Sequence, residues 1–377
     1  MKIAFIATSK VPSNTANSIQ VMKVIQAFIE LDHEAELWVP GTGKADWSVL
    51  KGHYGLHVEF PIHYIQARPS LKRYDFAWKA VNAAKASNAK AIYTWMPQAA
   101  YIAHLKHIPH ILEAHDRPTG LLGPWLLRRV TASSTPKKIA AITHALVRVL
   151  DSEFDIRIRP GDLVIAPDGV DLERYEDLPS PVQARKQLGL REQKTAMYSG
   201  HLYEGRGMDL IYALAKKLPE IQFLVVGGNP EAVLRWKDKA ALEGVKNLAL
   251  TGFVPNTELA LYQAAGDFLL MPYGKSVSIS SGGNTADVCS PMKMFEYLAA
   301  GRPILSSDLP VLREVLNEAN AVFCDSESVE SWASALKALL GSPSSSQGLG
   351  EQGKIDSKRY SWRERAQMTL GDWQEWQ

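Results

Sequence analysis

The stretch "KIAFIATSKVPSNTANSIQVMKVIQAFIELDHEAELWVP", residues 2–40, decides the fold class. Its first run, "KIAFIATS", is typical of a short strand that is buried on both faces. A polar loop follows, after which apolar residues recur at helical spacing at Ile19, Met22, Ile25, Phe28 and Ile29. The run "EAELWVP" then returns as a strand. This strand–helix–strand unit predicts an α/β protein with a parallel sheet and a right-handed crossover.

The same alternation continues along the chain and restarts once. Further strand patterns in the first half are "AIYTW", "HILEAHD", "AAITH" and "DLVIAPDG". A polar, proline-containing stretch near residues 178–193 separates them from a second series, which begins with "KTAMYSG" and continues with "IQFLVVGG", "NLALTG", "DFLLMPY", "PILSS" and "AVFCD". We predict two Rossmann-like, doubly wound domains facing across a cleft, at residues 1–182 and 190–358. The Ser/Gly-rich segment 341–353 is predicted to be a flexible surface loop.

Length and composition limit the function classes. A chain of 377 residues suits two domains, and 46% hydrophobic with 22% charged residues is ordinary for a globular protein. The formal net charge of +2 gives no field for nucleic acid, so we expect no nucleic-acid partner. Two cysteines, Cys289 and Cys324, suit neither a disulfide framework nor a metal site. Since no apolar run is long enough for a signal peptide or a membrane span, we expect a cytoplasmic protein.

The charge is unevenly distributed. Between Lys106 and Arg148, seven Lys or Arg residues face two acids, and this window contains the apolar run "GLLGPWLLRRV". The pattern favours a buried helix whose arginines are solvated. A segment resting on an anionic membrane, at the inner face, is the alternative that stays open.

Ligands of doubly wound sheets bind at the carboxyl ends of the strands, so the loops that follow strands are the candidate sites. The turn "YSGHLYEGRGMD" after the strand "KTAMYSG" contains three glycines together with His201 and Arg206, and it opens a helix. Glycines let a backbone approach a ligand closely, and arginine binds phosphate in a bidentate manner. A tight turn with a surface arginine explains the same residues equally well.

The first domain has other candidates. The dinucleotide fingerprint G-x-G-x-x-G is absent after its first strand, and the chain has no P-loop, so neither a classical NAD-binding domain nor a P-loop kinase is indicated. A dense set of small polar residues precedes the first helix: Ser13, Asn14, Thr15, Asn17 and Ser18. Helix capping explains one or two of them, not five. His115 and Asp116 follow an apolar strand, where a histidine points into the cleft and can bind a hydroxyl or polarise a reacting group, although a His-Asp pair alone is a weak motif.

The stretch "CSPMKMFEYLAAGRPILSSD", residues 289–308, raises a question about its two charges. Ser290 and Pro291 suit the N-cap and first positions of a helix. Lys293 and Glu296 lie three residues apart on one face, so they form an intrahelical ion pair or serve separate ligand groups. Lysine and the helix amides suit phosphate, and a carboxylate suits the vicinal hydroxyls of a ribose. A nucleoside diphosphate presents both groups.

Taken together, these motifs resemble the retaining glycosyltransferases of the GT-B fold, family 4, over essentially the whole chain. "APDGVDLERY" is similar to the family's "NGVDxxxF" stretch. "YSGHLYEGRGMDLI" is similar to its "GRLxxxKGxDxLI" segment, with His201 at the arginine and Arg206 at the lysine position. "LTGFVPNTELALYQAAGDFLLMPY", "SPMKMFEYLAAGRPILSSDLPVLREVL" and "RYSWRERA" resemble its base-binding segment, its glutamate-bearing helix and its closing helix.

The resemblance implies a fold and a set of site residues. It implies that a C-terminal helix, residues 360–377, crosses back to the first domain. It assigns catalytic roles to His115, Arg206 and Lys293, with His115 holding the donor sugar. It places the donor against Gly200, His201, Phe253, Val254, Ser290, Pro291, Met292 and Glu296. The first-domain loop, with Ser13, Asn14, Asn17 and Ser18, is expected to face the acceptor.

The implied reaction moves a sugar from a nucleoside-diphosphate sugar, UDP-sugar before GDP-sugar, to a hydroxyl acceptor. The acceptor is a sugar, a lipid-linked saccharide or a small molecule, as in polysaccharide, glycolipid or glycoconjugate synthesis. No Asp-x-Asp motif occurs, so we expect neither a metal nor any other cofactor. A nucleotide-sugar epimerase and a non-catalytic nucleotide-sugar binding protein are the alternatives.

The chain departs from the family pattern in two places, one of which is the first-domain loop, where "NTANS" replaces the usual pair of glycines. At the other, the glutamate-bearing helix, many members carry two glutamates eight positions apart; the second matches Glu296, but the first falls on Val288. In place of that carboxylate, the neighbouring loop offers its backbone amides, or Asn284 or Asp287, to the sugar hydroxyls. The contacts to the donor sugar therefore stay open at this point.

Overall fold

The computed structural model describes residues 1–71, 73–276 and 285–371, which form two compact units. The first unit comprises residues 1–168 and the C-terminal segment that begins at Trp362. The second comprises residues 169–361. The sequence predicted that residues 169–182 belong to the first unit, whereas in the structure they belong to the second. The proline-rich stretch after residue 178 therefore marks a connection inside the second unit.

The strands, in chain order, are β1 Lys2–Ile6, β2 Glu34–Pro40, β3 Ile62–Ile65, β4 Ala91–Thr94, β5 His110–Ala114, β6 Lys137–Ala141, β7 Leu163–Ile165, β8 Thr195–Ser199, β9 Gln222–Val226, β10 Leu248–Gly252, β11 Phe268–Met271, β12 Ile304–Ser307 and β13 Ala321–Cys324. The helices are α1 Ala16–Ile29, α2 Trp47–Tyr54, α3 Tyr74–Ala86, α4 Pro97–Leu105, α5 Leu122–Ala132, α6 His144–Phe154, α7 Pro181–Gln187, α8 Met208–Lys217, α9 Pro230–Leu242, α10 Asn256–Ala264, α11 Met292–Ala300, α12 Val329–Gly341, α13 Pro343–Ser357 and α14 Trp362–Leu370. Each predicted strand run overlaps one of these strands, the run "AAITH" by only the last two residues of β6.

The first unit is built on a seven-stranded parallel sheet of order β3-β2-β1-β4-β5-β6-β7. Its central strands are buried along their whole length, as the apolar runs predict. One face of the core joins Ala4, Ile6 and Ile92 to Phe76 and Val81 of α3. Strand β3, with the half-buried sequence "IHYI", escaped prediction because its polar residues at a sheet edge give a weak apolar signal.

The second unit repeats the design with a six-stranded parallel sheet of order β10-β9-β8-β11-β12-β13. Its core packs β8, β9 and β11 against α8, α9 and α12, with Trp332 fully buried. The strand order of each sheet reverses beside its first strand: between β1 and β4, and between β8 and β11. Ligands of doubly wound sheets bind outside the carboxyl ends of the strands at such a point.

The predicted flexible loop at residues 341–353 is wrong. Most of it lies in helix α13, which packs against α11. A methyl group on Gly350 would stand 2.3 Å from the carbonyl oxygen of Gly301, so this glycine is what allows the close approach. Composition predicts flexibility from the glycines of this segment, whereas in the structure Gly350 allows α13 to pack closely on α11. The helix that carries Lys293 and Glu296 is thereby supported along one side.

The basic window contains α5, whose two faces differ. Leu126, Leu127 and Val130 are buried, and Arg128 and Arg129 are exposed, which confirms the helix with solvated arginines. Leu121 and Trp125, however, lie outward, 97% and 41% exposed. Within residues 1–71, 73–276 and 285–371, no helix combines the length and the apolar character needed to traverse a bilayer.

Candidate active site

The loop after β8 folds as a glycine-rich turn against two other parts of the second unit. Gly200 and Gly207 both adopt positive φ, +140° and +86°. A methyl group on Gly200 would stand 2.7 Å from Nζ of Lys293, and one on Gly207 would stand 2.1 Å from the carbonyl oxygen of Pro272. The glycines therefore bring the turn against α11 and against the end of β11, at the reversal point of the sheet.

Lys293 extends from the first turn of α11 into this turn. Its Nζ is buried and has no hydrogen-bond partner among the residues that the structure describes. It lies 3.8 Å from the ring centre of Tyr198 and 5.4 Å from that of Tyr273. Burial, and then the charge of Arg206, hold the pKa of Lys293 well below its ordinary value. A buried ammonium without an acceptor is costly, so this arrangement favours a ligand that brings negative charge.

Arg206 places a second cation beside the first. Its Nη1 donates to the Tyr273 hydroxyl at 2.9 Å, and its guanidinium carbon lies 5.1 Å from the Tyr273 ring centre. Its Nε has no hydrogen-bond partner in the described ranges. Tyr273 follows β11 and Tyr198 lies in β8, so the strands on either side of the reversal supply the rings that hold both cations. The turn around Arg206 is thus more than a tight turn with a surface arginine.

Glu296 lies apart from Lys293. Gln263 donates to its Oε2 at 2.9 Å, and the Tyr175 hydroxyl donates to Oε1 of Gln263 at 2.8 Å. Burial raises the pKa of Glu296 above its ordinary value. Among the described residues, no ion pair within 4 Å joins Lys293 to Glu296. Of the two explanations for these charges, the structure supports separate positions rather than an intrahelical pair.

The start of α11 differs from the prediction by one residue. Pro291, not Ser290, is the N-cap, and Met292 is the first helical residue. Pro291 makes no side-chain cap bond, and the first-turn amides of a helix have no intrahelical acceptor. The backbone amides at the start of α11 therefore add partial positive charge near the side chains of Lys293 and Arg206. Ser290 itself is buried, one residue before the cap.

The other predicted donor residues lie around the same end of the sheet. His201 stacks on Tyr203, with ring centres 4.8 Å apart. Desolvation and the charges of Arg206 and Lys293 lower the pKa of His201. Phe253, in the loop after β10, is 56% exposed, and Val254 beside it is half-buried.

Of the two side chains predicted to replace the family's first glutamate, the structure describes one, Asp287. Val288 is fully buried, as expected for an apolar residue at the position of the family's first glutamate. Asp287 is exposed. Asn284 lies outside the described residues.

In the first unit, His115 follows β5, as predicted, and contacts a buried carboxylate. Its Nε2 lies 2.5 Å from Oε1 of Glu113, whose side chain is fully buried. Glu113 also accepts from Arg365 of α14 at 2.6 Å. Sequence patterns did not predict these two contacts of Glu113. Glu113 is a single polar residue in an apolar strand run, and Arg365 is remote in sequence.

The polar loop before α1 is largely occupied by its own contacts. Thr15 caps α1 and accepts from the Ser18 amide. The Ser18 hydroxyl is buried and bonds to the Lys10 carbonyl and the Tyr54 hydroxyl. Asn17 accepts from Ser9. Ser13 is half-buried, its amide donating to Tyr54 at 2.8 Å, whereas Asn14 is exposed.

Both cysteines are free thiols. In the part of the chain that the structure describes, no group of three or more His, Cys, Asp or Glu side chains is arranged to hold a metal ion.

A family of known proteins matches part of the second unit. Residues 193–342 match the family described as glycosyl transferases group 1, and this range contains the glycine turn, both cations and Glu296. These residues are therefore similar to that family over less than half of the chain.

Curated proteins similar to the chain include a 2-deoxystreptamine glucosyltransferase of Streptomyces kanamyceticus, 29% identical over 187 residues, which are 48% of this chain and 43% of that protein. A D-inositol 3-phosphate glycosyltransferase of Rhodococcus jostii is 24% identical over 250 residues, which are 61% and 52% of the two chains. The chain spans about half the length of the curated relatives it matches.

Solved structures share the fold over the whole chain. HepE of Anabaena in complex with UDP-glucose superimposes with a TM-score of 0.73 at 16% identity, covering 100% of both chains. A glycosyltransferase of Rickettsia africae gives 0.78 at 11% identity, covering 100% of this chain and 98% of that one. The two Rossmann-like units are those of the GT-B fold.

Proposed function

We propose that the protein is a retaining, metal-independent glycosyltransferase of family 4 that uses a nucleoside-diphosphate sugar, with UDP as the nucleotide. The observation that carries this proposal is the pair of buried cations, Lys293 and Arg206, at the reversal point of the second unit's sheet. Neither side chain contacts a carboxylate within ion-pair distance in the described ranges, so a diphosphate is the anion that this position suits. The complex of HepE with UDP-glucose supports UDP as the nucleotide.

The chemistry follows from where charge develops. The bond between the anomeric carbon and the diphosphate oxygen breaks, and a bond from the acceptor hydroxyl oxygen forms on the same face of the sugar. The leaving phosphate takes the acceptor's proton. Negative charge then grows on the phosphate oxygens, where Lys293, Arg206 and the α11 amides stabilise it without a metal ion.

The remaining predicted residues take roles around this centre. Glu296, held by Gln263, accepts hydrogen bonds from the ribose hydroxyls. Gly200 allows the diphosphate to approach Lys293. His115 remains assigned to the donor sugar by resemblance to the family.

The direct test is incubation of the protein with UDP-sugars and GDP-sugars, with and without candidate acceptors, while released nucleotide is measured. Release of UDP, with the sugar transferred in the donor's anomeric configuration, is the expected result. Conversion of the donor sugar into its epimer without release would indicate an epimerase instead. Binding without any turnover, across the donors tried, would indicate a nucleotide-sugar binding protein.

Nucleotide binding is expected to take up a proton. The pKa of Lys293 is depressed in the free protein by burial and by Arg206, and the diphosphate raises it again on binding. Between these two pKa values, binding charges the amine, so UDP affinity falls as the pH rises through this window. Calorimetry in buffers of different ionisation enthalpy, over a pH series that starts above the pKa of about 6 of a terminal phosphate, measures this uptake. Lys293→Ala should abolish it; equal uptake by the variant would contradict this assignment.

We further propose that the acceptor is lipid-linked, in polysaccharide or glycolipid synthesis, and that the protein contacts the inner face of a membrane through α3, α4 and α5. Trp78, Leu105 and Leu121 are exposed on this surface. Cations accompany the rings: Lys106 lies 4.6 Å from the Trp78 ring centre, and the guanidinium of Arg129 lies 5.4 Å from that of Trp125. Apolar side chains flanked by cations suit an anionic bilayer.

Sedimentation with vesicles checks this surface. We expect binding to phosphatidylglycerol vesicles and little binding to phosphatidylcholine vesicles. The double substitution Leu121→Ser with Trp125→Ala should weaken binding about tenfold, since it removes apolar area that would enter the interface. Leu242→Ser is the matched control, because Leu242 is 88% exposed in α9 of the other unit. Equal losses from both variants, or no preference for anionic vesicles, would contradict the proposal.

A further inference from the structure

The first unit buries a carboxylate at the end of β5 that receives several donors. Gln20 and the Tyr93 hydroxyl both hydrogen-bond to Glu113. Arg365 donates to Oε1 at 2.6 Å, and the His115 ring nitrogen Nε2 lies 2.5 Å from the same oxygen. Burial alone would raise the pKa of Glu113, but the charges of Arg365 and His115 outweigh it and keep the carboxyl ionised.

Arg365 is fixed by several hydrogen bonds in addition to its contact with Glu113. It projects from α14, and its side chain is 3% exposed. Its Nε donates to the Pro167 carbonyl at 2.7 Å, and its Nη2 donates to the Ala166 carbonyl at 3.1 Å. These carbonyls follow β7, so the guanidinium joins the C-terminal helix to the ends of β5 and β7. A planar fork with fixed donors is what such a junction requires.

His115 contacts this cluster through its Nε2 atom, which lies against Glu113. Burial would lower the pKa of the imidazole, but the Glu113 charge, with a smaller contribution from Asp168, outweighs burial and the opposing charge of Arg365. The pKa of His115 is therefore raised. A protonated imidazole has two N–H groups; one faces Glu113, which leaves the other to donate.

We propose that Arg365 is a positioning residue: by fixing Glu113 it sets the orientation of His115 and holds its imidazole as a cationic hydrogen-bond donor. The inference rests on the proposed function, in which His115 contacts the donor sugar. It makes His115 a donor toward a sugar hydroxyl rather than a base. It also gives the last helix a part in the reaction, although α14 lies at the far end of the chain.

The test is a titration of the His115 imidazole by NMR, its resonance assigned with His115→Asn. Glu113→Gln should lower the pKa of His115 by about one unit or more, because burial then dominates. Arg365→Met should lower it as well, because Glu113 loses the donor that fixes it and keeps it ionised, and this loss outweighs the removal of the opposing cation. Arg363→Met is the control on the same helix, since Arg363 bonds to the Glu30 carbonyl at the surface. A His115 pKa in Arg365→Met that is equal to or above that of Arg363→Met would overturn the proposal, as would an unchanged pKa in Glu113→Gln.

Removing one member of a buried ion pair often prevents folding. The double variant Glu113→Gln with Arg365→Met leaves neither charge uncompensated and serves if a single variant does not fold. Its His115 pKa should fall below that of the wild type, and an unchanged pKa would overturn the proposal. Donor turnover is measured in the same proteins, so that a failure of this proposal can be distinguished from a failure of the proposed function. A shifted His115 pKa with unchanged turnover upholds the coupling of Arg365, Glu113 and His115 but contradicts the role of His115 in sugar transfer. If no protein releases UDP, the wild type included, the proposed function alone is contradicted.

Discussion

Replacing Lys293 with alanine is expected to lower the rate of sugar transfer by about a hundredfold, the usual effect of removing one group that stabilises developing charge. The physical reason is the position of Nζ, which is buried between the glycine turn and two tyrosine rings with no hydrogen-bond acceptor in the described residues. Arg206 alone would then face the leaving diphosphate. The measurement is the initial rate of UDP release at saturating donor and acceptor.

The matched control is Lys337→Ala, which removes an exposed lysine from α12 of the same unit. It should leave the rate unchanged. Thermal melting should show that Lys293→Ala folds, since the substitution removes a buried cation and leaves Glu296 with its Gln263 bond. A folded Lys293→Ala protein with the wild-type rate would exclude the phosphate role of this lysine.

Gly207→Ala is expected to have the largest effect on stability, with a loss of more than about 3 kcal/mol. The new methyl group would stand 2.1 Å from the Pro272 carbonyl oxygen and 2.4 Å from its Cγ. Residue 207 also has φ of +86°, where an L side chain is strained. Relief would require Pro272 to move, and with it Tyr273, whose hydroxyl binds Arg206. The expected drop in the melting temperature of the second unit is about 10 °C.

Gly348→Ala provides the comparison. Gly348 lies in α13, and nothing stands within 4 Å of the position its methyl group would take. Alanine in a helix should leave the melting temperature unchanged or raise it slightly. Equal melting temperatures for Gly207→Ala and the wild type would show that the turn can move without loss, and that the site is less tightly packed than its geometry indicates.

The alternation of strands and helices was readable from sequence because apolar runs and helical spacing are local signals. Residues 2–40 alone predicted the parallel arrangement found in both sheets. The glycines after β8, together with Arg206 and Lys293, were recognised as candidates because residue type and position after a strand are also local. Their meeting around one point required the sheet order, which sets β8 beside β11.

Contacts between distant segments account for what the sequence did not predict. Tyr198 and Tyr273 belong to runs that predict strands, and nothing in those runs indicates that their rings support both cations. Glu113 and Arg365 are separated by most of the chain, so no local pattern could pair them. The serine- and glycine-rich segment at residues 341–353 looked mobile by composition, yet Gly350 allows α13 to pack on α11. In each case tertiary packing decided the outcome over local propensity.

Calorimetric titration with UDP tests the central claim most directly, since it needs neither the donor sugar nor the acceptor. The account predicts that the wild-type protein and Lys337→Ala bind one UDP per chain with equal affinity, and that Lys293→Ala binds at least about tenfold more weakly, a difference of about 1.4 kcal/mol. The absence of UDP and GDP binding by the wild type, or equal UDP affinity of wild type and Lys293→Ala, would contradict it.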